Sequence, residues 1–240
     1  MPKLPLGTKM PSVIMAVGRS FQDKYPINPS SYIALNLPSR LPRRPNSSVS
    51  VRILIHPYPI RVSYKEVRDL IPNICSGYDA NIILHIGMAA GRDYYAIERC
   101  AHRDRYTELK DVEGKVLTST DGVEYWPDCP AELETSLPFD DIWRRWKEDT
   151  NNQPSLRDAD IRPSTDAGHY LCDFLYYCCL ADHHRMKRDN DAVAEVDKRP
   201  VMFLHVPADA SPADINKGQE LTVSLLRALA ESYAATKRGG

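Results

Sequence analysis

The sequence has no excess of charge of either sign and, near its start, no apolar run of membrane-spanning length. Lys and Arg together number 31 and Asp and Glu 32, so the overall charge favours neither nucleic acid nor an anionic membrane as a partner. The apolar stretch after Pro11 is only about six residues long, too short for a secretory signal or a membrane span. We therefore expect a cytoplasmic protein whose function depends on local sites.

The sequence also lacks the motifs of disulfide frameworks, metal sites and nucleotide-binding loops. Its six cysteines have no regular spacing, and in a reducing compartment they are expected as free thiols. Cys178 and Cys179 are adjacent, whereas zinc-binding sulfur pairs are separated by about two to four residues. GMAAGR (87–92) contains neither GxGxxG nor the Lys-Ser/Thr pair of a phosphate-binding loop. The spacing therefore gives little support to a metal site at this cysteine pair or to nucleotide binding at this loop.

Apolar segments alternate with amphipathic ones in a way that predicts a layered α/β domain. The hydrophobic content of 42% and the charged content of 26% are ordinary for a globular protein. Apolar, β-branched runs predict buried strands at 12–18, 49–60, 78–88 and 200–208, with a weaker strand at 159–164. Helical periodicity predicts helices at 28–38, 63–73, 136–149, 167–181 and 211–238. A serine is the candidate cap of the first of these helices.

The remaining segments are expected to be loops, one hairpin and a charged excursion. Gly, Asp and Pro are frequent in residues 89–135, which predicts loops and a hairpin around YYAIERCAH (94–102). Residues 182–199 are rich in charge and are expected to be solvated, with His183 and His184 facing water. We expect a single domain over residues 1–240, with residues 1–10 as an N-terminal extension.

Cys172 is a candidate nucleophile because it lies near the predicted start of the helix at 167–181. The backbone amides and the dipole at a helix start stabilise an anion, so a thiolate is favoured there. The alternative is a buried apolar thiol, which is what most free cysteines are. Cys178 and Cys179 lie two turns further along the helix and are expected to pack in the core.

His205 and Glu98 are the candidate partners of that thiol. His205 ends a predicted strand just before Pro207, and the carboxyl ends of strands in open α/β sheets border the usual ligand crevice. A hydrogen-bonded core histidine is the alternative. Glu98 follows the glycine-containing turn after the third strand, where a carboxylate can orient an imidazolium. The alternative for Glu98 is a solvated surface group.

Four separated segments resemble the type I pyroglutamyl-peptidases (pyrrolidone-carboxylate peptidases), in particular their eukaryotic, fungal-like branch. They are YPINPS (25–30), HIGMAAGRDYYAIERCAHRDRY (85–106), DAGHYLCDFLYY (166–177) and FLHVP (203–207). Their order and spacing agree with the family over nearly the whole chain. The resemblance implies a single-domain α/β/α sandwich with a central mixed, mostly parallel twisted sheet.

The resemblance also implies a reaction and a catalytic set. Cys172 matches the nucleophile, His205 the base and Glu98 the orienting carboxylate. The implied reaction is that of a cysteine exopeptidase, which hydrolyses the N-terminal pyroglutamyl-X bond of a peptide through a thioester and needs no metal or cofactor. Residues implied to contact the pyroglutamyl ring are Phe21, Asn28, Met88, Tyr170 and Leu171. The implied partners are peptides with N-terminal pyroglutamate. The protein itself is a monomer or a homo-oligomer, and the sequence leaves both open.

The sequence departs from the family in one substrate-binding loop. The resemblance implies TGFxPF where this chain has AVGRSF (16–21), so only the aromatic Phe21 remains in register, and Arg19 introduces a charge near where an aromatic residue is expected. Two functions stay open on this ground. One is an active pyroglutamyl-peptidase, and the other is an impaired or repurposed homologue that keeps the fold and the reactive thiol without a complete lactam pocket.

Overall fold

Strands and helices alternate along the chain. The computed structural model describes residues 12–17 (backbone only), 26–45, 47, 49–118, 120–189 and 200–239. The strands are β1 (Ser12–Val17), β2 (Arg40–Leu41), β3 (Val51–Ile55), β4 (Ile82–Met88), β5 (Tyr95–Glu98), β6 (Cys100–His102), β7 (Glu132–Glu134), β8 (Ile161–Ser164) and β9 (Val201–Val206). The helices are α1 (Pro29–Leu35), α2 (Tyr64–Gly77), α3 (Asp121–Tyr125), α4 (Phe139–Asn151), α5 (Leu171–Asp189) and α6 (Pro212–Gly239).

Seven strands form one mixed sheet in the order β2-β3-β1-β4-β9-β5-β8. The strands β3, β1, β4 and β9 are parallel to one another, β5 is antiparallel to β9, and β8 is parallel to β5. Every residue of β4 is buried, as its apolar sequence predicts for a central strand. Because β4 and β9 are parallel, their carboxyl ends meet at one edge of the sheet, where Gly87 is paired with His205.

Helices cover both faces of this sheet. The helices α2 and α5 pack together on one face, around Val67 and Phe174, which are 1% and 0% exposed. On the other face α4 and α6 pack together around Trp146, whose indole N–H donates to the backbone oxygen of Leu221 at 3.0 Å. The α/β/α sandwich and its mostly parallel sheet are therefore confirmed.

The hairpin predicted around YYAIERCAH is wrong. A hairpin needs a loop of about two residues or more, and only Arg99 separates β5 from β6. The two strands instead join different sheets: β5 lies between β8 and β9, whereas β6 pairs with β7 in a separate antiparallel ribbon. Glu98 therefore lies at the end of a strand of the central sheet.

Several helix limits also differ from the predicted ones. The cap of α1 is Asn28, whose side chain accepts a hydrogen bond from the Ser30 amide, and not a serine. The helix α5 begins at Leu171, four residues later than predicted, after Gly168 with φ of +90°. It continues to Asp189, so His183 and His184 are half-buried helix residues and do not lie in a solvated excursion.

Two parts of the predicted domain organisation lie outside the described residues. These are the N-terminal extension at 1–10 and the end of the charged excursion at 190–199. Among the described helices, none combines the length and apolarity that crossing a bilayer requires.

Candidate active site

A cleft of about 520 Å³ lies beside the carboxyl ends of β4 and β9. Gly87, Met88 and His205 border it from the sheet, and the first residues of α5, Leu171 and Cys172, form part of its wall. Its walls are largely apolar, with Ile60, Val62, Val67, Leu175 and Phe203 among the lining side chains. An apolar concavity with a few polar groups is the usual form of a small-ligand site.

Cys172 is the second residue of α5. Its side chain is half-buried and borders this cleft. The later start of α5 brings the thiol closer to the helix terminus than the sequence predicts. The first N–H groups of an α-helix have no intrahelical acceptor, so they are available to a negative charge nearby. Close contact with β4 depends on Gly87, because a Cβ at Gly87 would lie 2.9 Å from Cys172 Sγ and 2.7 Å from Phe203 Cζ.

His205 lies between Cys172 and Glu98. Its Nδ1 is 2.8 Å from Glu98 Oε1, and its ring packs on Phe203 with a centroid distance of 4.7 Å. Nδ1 is engaged by the carboxylate, so Nε2 is the nitrogen that remains for Cys172. Burial alone would lower the pKa of His205, but its hydrogen bonds with Cys172 and Glu98 outweigh burial and raise the pKa to about 9. The histidine therefore favours the protonated form near neutral pH.

Glu98 is fully buried behind His205 and does not border the cleft. Its Oε1 also accepts a hydrogen bond from Arg92 Nη1 at 2.7 Å. Burial raises the pKa of Glu98, whereas the hydrogen bonds from His205 and Arg92 lower it, and the net direction is down. The carboxylate is thus charged at neutral pH, held between two cations.

The other predicted pocket residues differ in what they do. Asn28, Met88, Tyr170 and Leu171 all border the cleft. The Oδ1 of Asn28 accepts from the Ser30 amide and hydroxyl at the start of α1. Phe21 and most of AVGRSF lie outside the described residues.

Arg92 and His85 were missed by the sequence reasoning. Arg92 ends GMAAGR, and an arginine six residues before a buried glutamate is only a weak signal for an ion pair. His85 is 1% exposed within the apolar strand β4 and borders the cleft. Neither of its ring nitrogens has a hydrogen-bond partner among the described residues. Burial, with repulsion from His56, lowers the pKa of His85 to about 3, so its ring is neutral.

Cys178 and Cys179 lie in the core, as predicted. The Cys179 Sγ is 3.1 Å from Cys75 Sγ. This contact and burial raise the pKa of Cys179, and burial raises that of Cys178. Of the three cysteines on α5, only Cys172 borders the cleft.

The fold and the site together define an α/β/α protein with a Cys-His-Glu constellation at the carboxyl edge of its parallel strands. A model of the family described as pyroglutamyl peptidase matches residues 13–225. The chain belongs to this family, as its motifs predict.

Individual relatives agree with this membership. The chain is 28% identical to human pyroglutamyl-peptidase 1 over 162 residues, which cover 66% of this chain and 64% of the human protein. Its match to the Rattus norvegicus enzyme is also 28% identical, over 52% of this chain and 56% of that protein. The chain thus spans about half to two thirds of the length of these relatives, and their eukaryotic origin agrees with the predicted branch.

Solved structures share the fold at lower identity. Pyroglutamyl peptidase I from Bacillus amyloliquefaciens superposes with a TM-score of 0.70 at 18% identity, over 92% of this chain and 96% of that chain. Pyrrolidone carboxyl peptidase from Pyrococcus furiosus gives a TM-score of 0.67 at 19% identity, over 92% of this chain and 98% of that chain.

Proposed function

We propose that this protein is a cysteine peptidase that removes an N-terminal pyroglutamyl residue from peptides. The observation that carries the proposal is the placement of His205 between the Cys172 thiol and the charged Glu98, at the border of a mostly apolar cleft. Family membership supplies the substrate class.

The reaction begins with a proton on His205 and a thiolate on Cys172. The thiolate attacks the carbonyl carbon of the pyroglutamyl-X bond, and the backbone amides at the start of α5 stabilise the oxyanion. His205 then donates its proton to the leaving amine as the C–N bond breaks, which leaves a thioester. His205 then takes a proton from water, which attacks the thioester carbonyl; the C–S bond breaks, pyroglutamate leaves, and the thiolate and protonated His205 are restored.

Glu98 and Arg92 hold the base in place. The carboxylate of Glu98 fixes the Nδ1–H tautomer, so Nε2 faces the thiol, and it stabilises the imidazolium by charge. Arg92 donates to the same carboxylate oxygen and keeps the buried Glu98 ionised. Glu98 and Arg92 are therefore positioning residues, whereas Cys172 and His205 contact the reacting atoms.

The cleft fits the two kinds of contact that a lactam requires. A pyroglutamyl ring has apolar faces together with one N–H and one C=O, so it needs an apolar clamp and a few polar partners. Val67, Leu175 and Phe203 supply apolar walls. The neutral ring of His85 borders the same cleft and has one donor and one acceptor nitrogen. We include Asn28, Met88, Tyr170, Leu171 and the undescribed Phe21 among the substrate contacts.

No described contact favours the alternative of a repurposed homologue. That alternative rests on the altered AVGRSF loop, of which residues 18–21 lie outside the described residues. The single-domain organisation and the cytoplasmic location remain predictions from the sequence.

The test is hydrolysis of a pyroglutamyl-coumarin amide by the purified chain. We expect turnover of this substrate and none of the matched prolyl-coumarin amide, because proline has the ring without the lactam carbonyl. Cys172→Ala should abolish turnover, whereas Cys178→Ala, which changes a core thiol of the same helix, should retain it. Equal activity of Cys172→Ala and wild type would disprove the nucleophile, and equal rates on the two substrates would disprove the specificity.

A further inference from the structure

Three side chains on the small β6–β7 sheet form a second polar cluster, away from the cleft. The Cys100 Sγ, a ring nitrogen of His102 and a carboxylate oxygen of Glu132 all lie within 4.8 Å of one another. Cys100 and His102 are two residues apart on β6 and therefore share a face of the strand. Glu132 is the partner of His102 in the antiparallel register. Pairing of the two strands thus brings one thiol, one imidazole and one carboxylate together.

A buried carboxylate lies beside the imidazole of this cluster. His102 Nδ1 is 3.5 Å from Asp173 Oδ2, and His102 Nε2 is 3.2 Å from Glu132 Oε2. Asp173 is fully buried and is fixed by the backbone N–H of His102 and by the hydroxyl of Tyr106, at 3.2 and 3.0 Å. Metal-binding histidines usually have such a carboxylate on one ring nitrogen, which directs the other nitrogen to the metal.

The charge around the cluster favours a cation. Three carboxylates surround it: Glu132 and Asp173 lie 3.2 and 3.5 Å from the two ring nitrogens of His102, and Glu134 is the partner of Cys100 in the strand register. Their negative charges attract a divalent cation. Zinc accepts sulfur, nitrogen and oxygen ligands in tetrahedral geometry, whereas magnesium and calcium prefer oxygen alone. The cluster matches the preference of zinc.

We propose that Cys100, His102 and Glu132 bind one Zn²⁺ ion, with water as the fourth ligand. The Glu132 side chain is 55% exposed, so ion and water have access from solvent. In the structure the Cys100 thiol donates to the Thr165 backbone oxygen at 3.2 Å. When zinc binds, the thiol releases its proton to solvent and this hydrogen bond is lost. Sulfur, nitrogen and oxygen then coordinate the ion without any change of oxidation state.

The site is structural and separate from catalysis. The ion joins β6 to β7, and through His102 it holds Asp173, the residue after Cys172, in the first turn of α5. The proposal does not depend on pyroglutamyl-peptidase activity, and its test reads metal binding directly.

The test is titration of the metal-free full-length protein with Zn²⁺ against a chromophoric chelator, and with Co²⁺ as a spectroscopic probe. Wild type and Cys172→Ser should each bind one equivalent and show a thiolate-to-cobalt charge-transfer band. Cys100→Ser should lose the band. Glu132→Gln should weaken binding by about 10-fold or more, since even outer-shell partners of a metal typically contribute that much.

Glu134→Gln is the matched control. Glu134 is exposed on the same strand as Glu132 and faces Cys100 in the register, but it is not one of the three ligands. It should keep full stoichiometry and the cobalt band. Because Glu132 lies at an exposed edge, its variant tests the site even if Cys100→Ser does not fold.

Three results would overturn the proposal. One is the absence of stoichiometric binding to wild type. Another is a cobalt band that is lost in Cys172→Ser and kept in Cys100→Ser, which would assign the metal to the catalytic thiol. The third is equal weakening by Glu132→Gln and Glu134→Gln, which would indicate general attraction by charge and no defined ligand set.

Discussion

The pairing of Glu98 with His205 makes Glu98→Gln an informative substitution. Both His205 Nδ1 and Arg92 Nη1 contact the same oxygen, Oε1, at 2.8 and 2.7 Å. A glutamine can present its own amide oxygen at that position and accept from both donors. The substitution therefore removes the negative charge while it leaves the hydrogen-bond geometry in place.

The magnitude follows from the pKa of His205. The rise from 6.5 to about 9 corresponds to about 3 kcal/mol, at about 1.4 kcal/mol for each pH unit. Glu98 shares this effect with Cys172. Removal of the carboxylate charge should thus lower the pKa of His205 by roughly one pH unit and reduce kcat/KM by about 10-fold or more.

The direction of the pH effect distinguishes a charge role from a packing role. Activity needs protonated His205 beside the thiolate, so the alkaline limb of the kcat/KM profile should follow the His205 pKa of about 9 in wild type. In Glu98→Gln the imidazolium is less stable, and this limb should move to lower pH.

The assay is the pH dependence of kcat/KM on the pyroglutamyl-coumarin amide, measured on wild type and Glu98→Gln with equal thermal stability as a folding control. Tyr176→Phe is the matched variant, since the Tyr176 hydroxyl contacts the backbone oxygen of Glu98 and not its carboxylate. It should leave the alkaline limb in place. A limb that does not move in Glu98→Gln, or an unchanged rate, would refute the charge role of Glu98.

Two further substitutions test the neighbours of this set. Gly87→Ala should lower kcat/KM by about 10-fold or more and slow alkylation of Cys172, because the added Cβ would lie 2.9 Å from Cys172 Sγ. Gly77→Ala is the control, since a Cβ there meets nothing within 4 Å. Equal rates for the two variants would contradict the packing argument. His85→Leu should raise KM for the pyroglutamyl substrate more than it changes kcat, since the ring is proposed to bind the lactam and not to react. His85→Leu should also make the free energy of unfolding less sensitive to acid. The pKa of His85 is about 3 in the folded protein and 6.5 in the unfolded chain, so the unfolded chain binds the proton more readily. The wild type therefore loses stability as the pH falls below 6.5, by about 2 kcal/mol at pH 5. Denaturant unfolding at neutral pH and pH 5 measures this, and an equal acid loss in wild type and variant would show that His85 is not buried as a neutral ring.

Much of the fold was predictable because it depends on local patterns of burial. The strand β4 is apolar throughout and is buried on both faces, and the helix α4 buries Ile142 and Trp146 at helical spacing. The failures were at boundaries. The helix α5 begins at Leu171 because the chain adopts a positive φ at Gly168 first, and YYAIERCAH divides between two sheets.

The sequence by itself determined the alternation of strands and helices, the family, and a thiol near a helix start, since each depends on residues close together in the chain. Only the tertiary structure decided the environment of that thiol. His205 and Glu98 are 107 residues apart and meet because β5 pairs with β9. The cluster of Cys100, His102 and Glu132 likewise depends on the pairing of β6 with β7. Strand pairing between distant segments has no local signature, because the partner of each strand is set by the packing of the whole sheet.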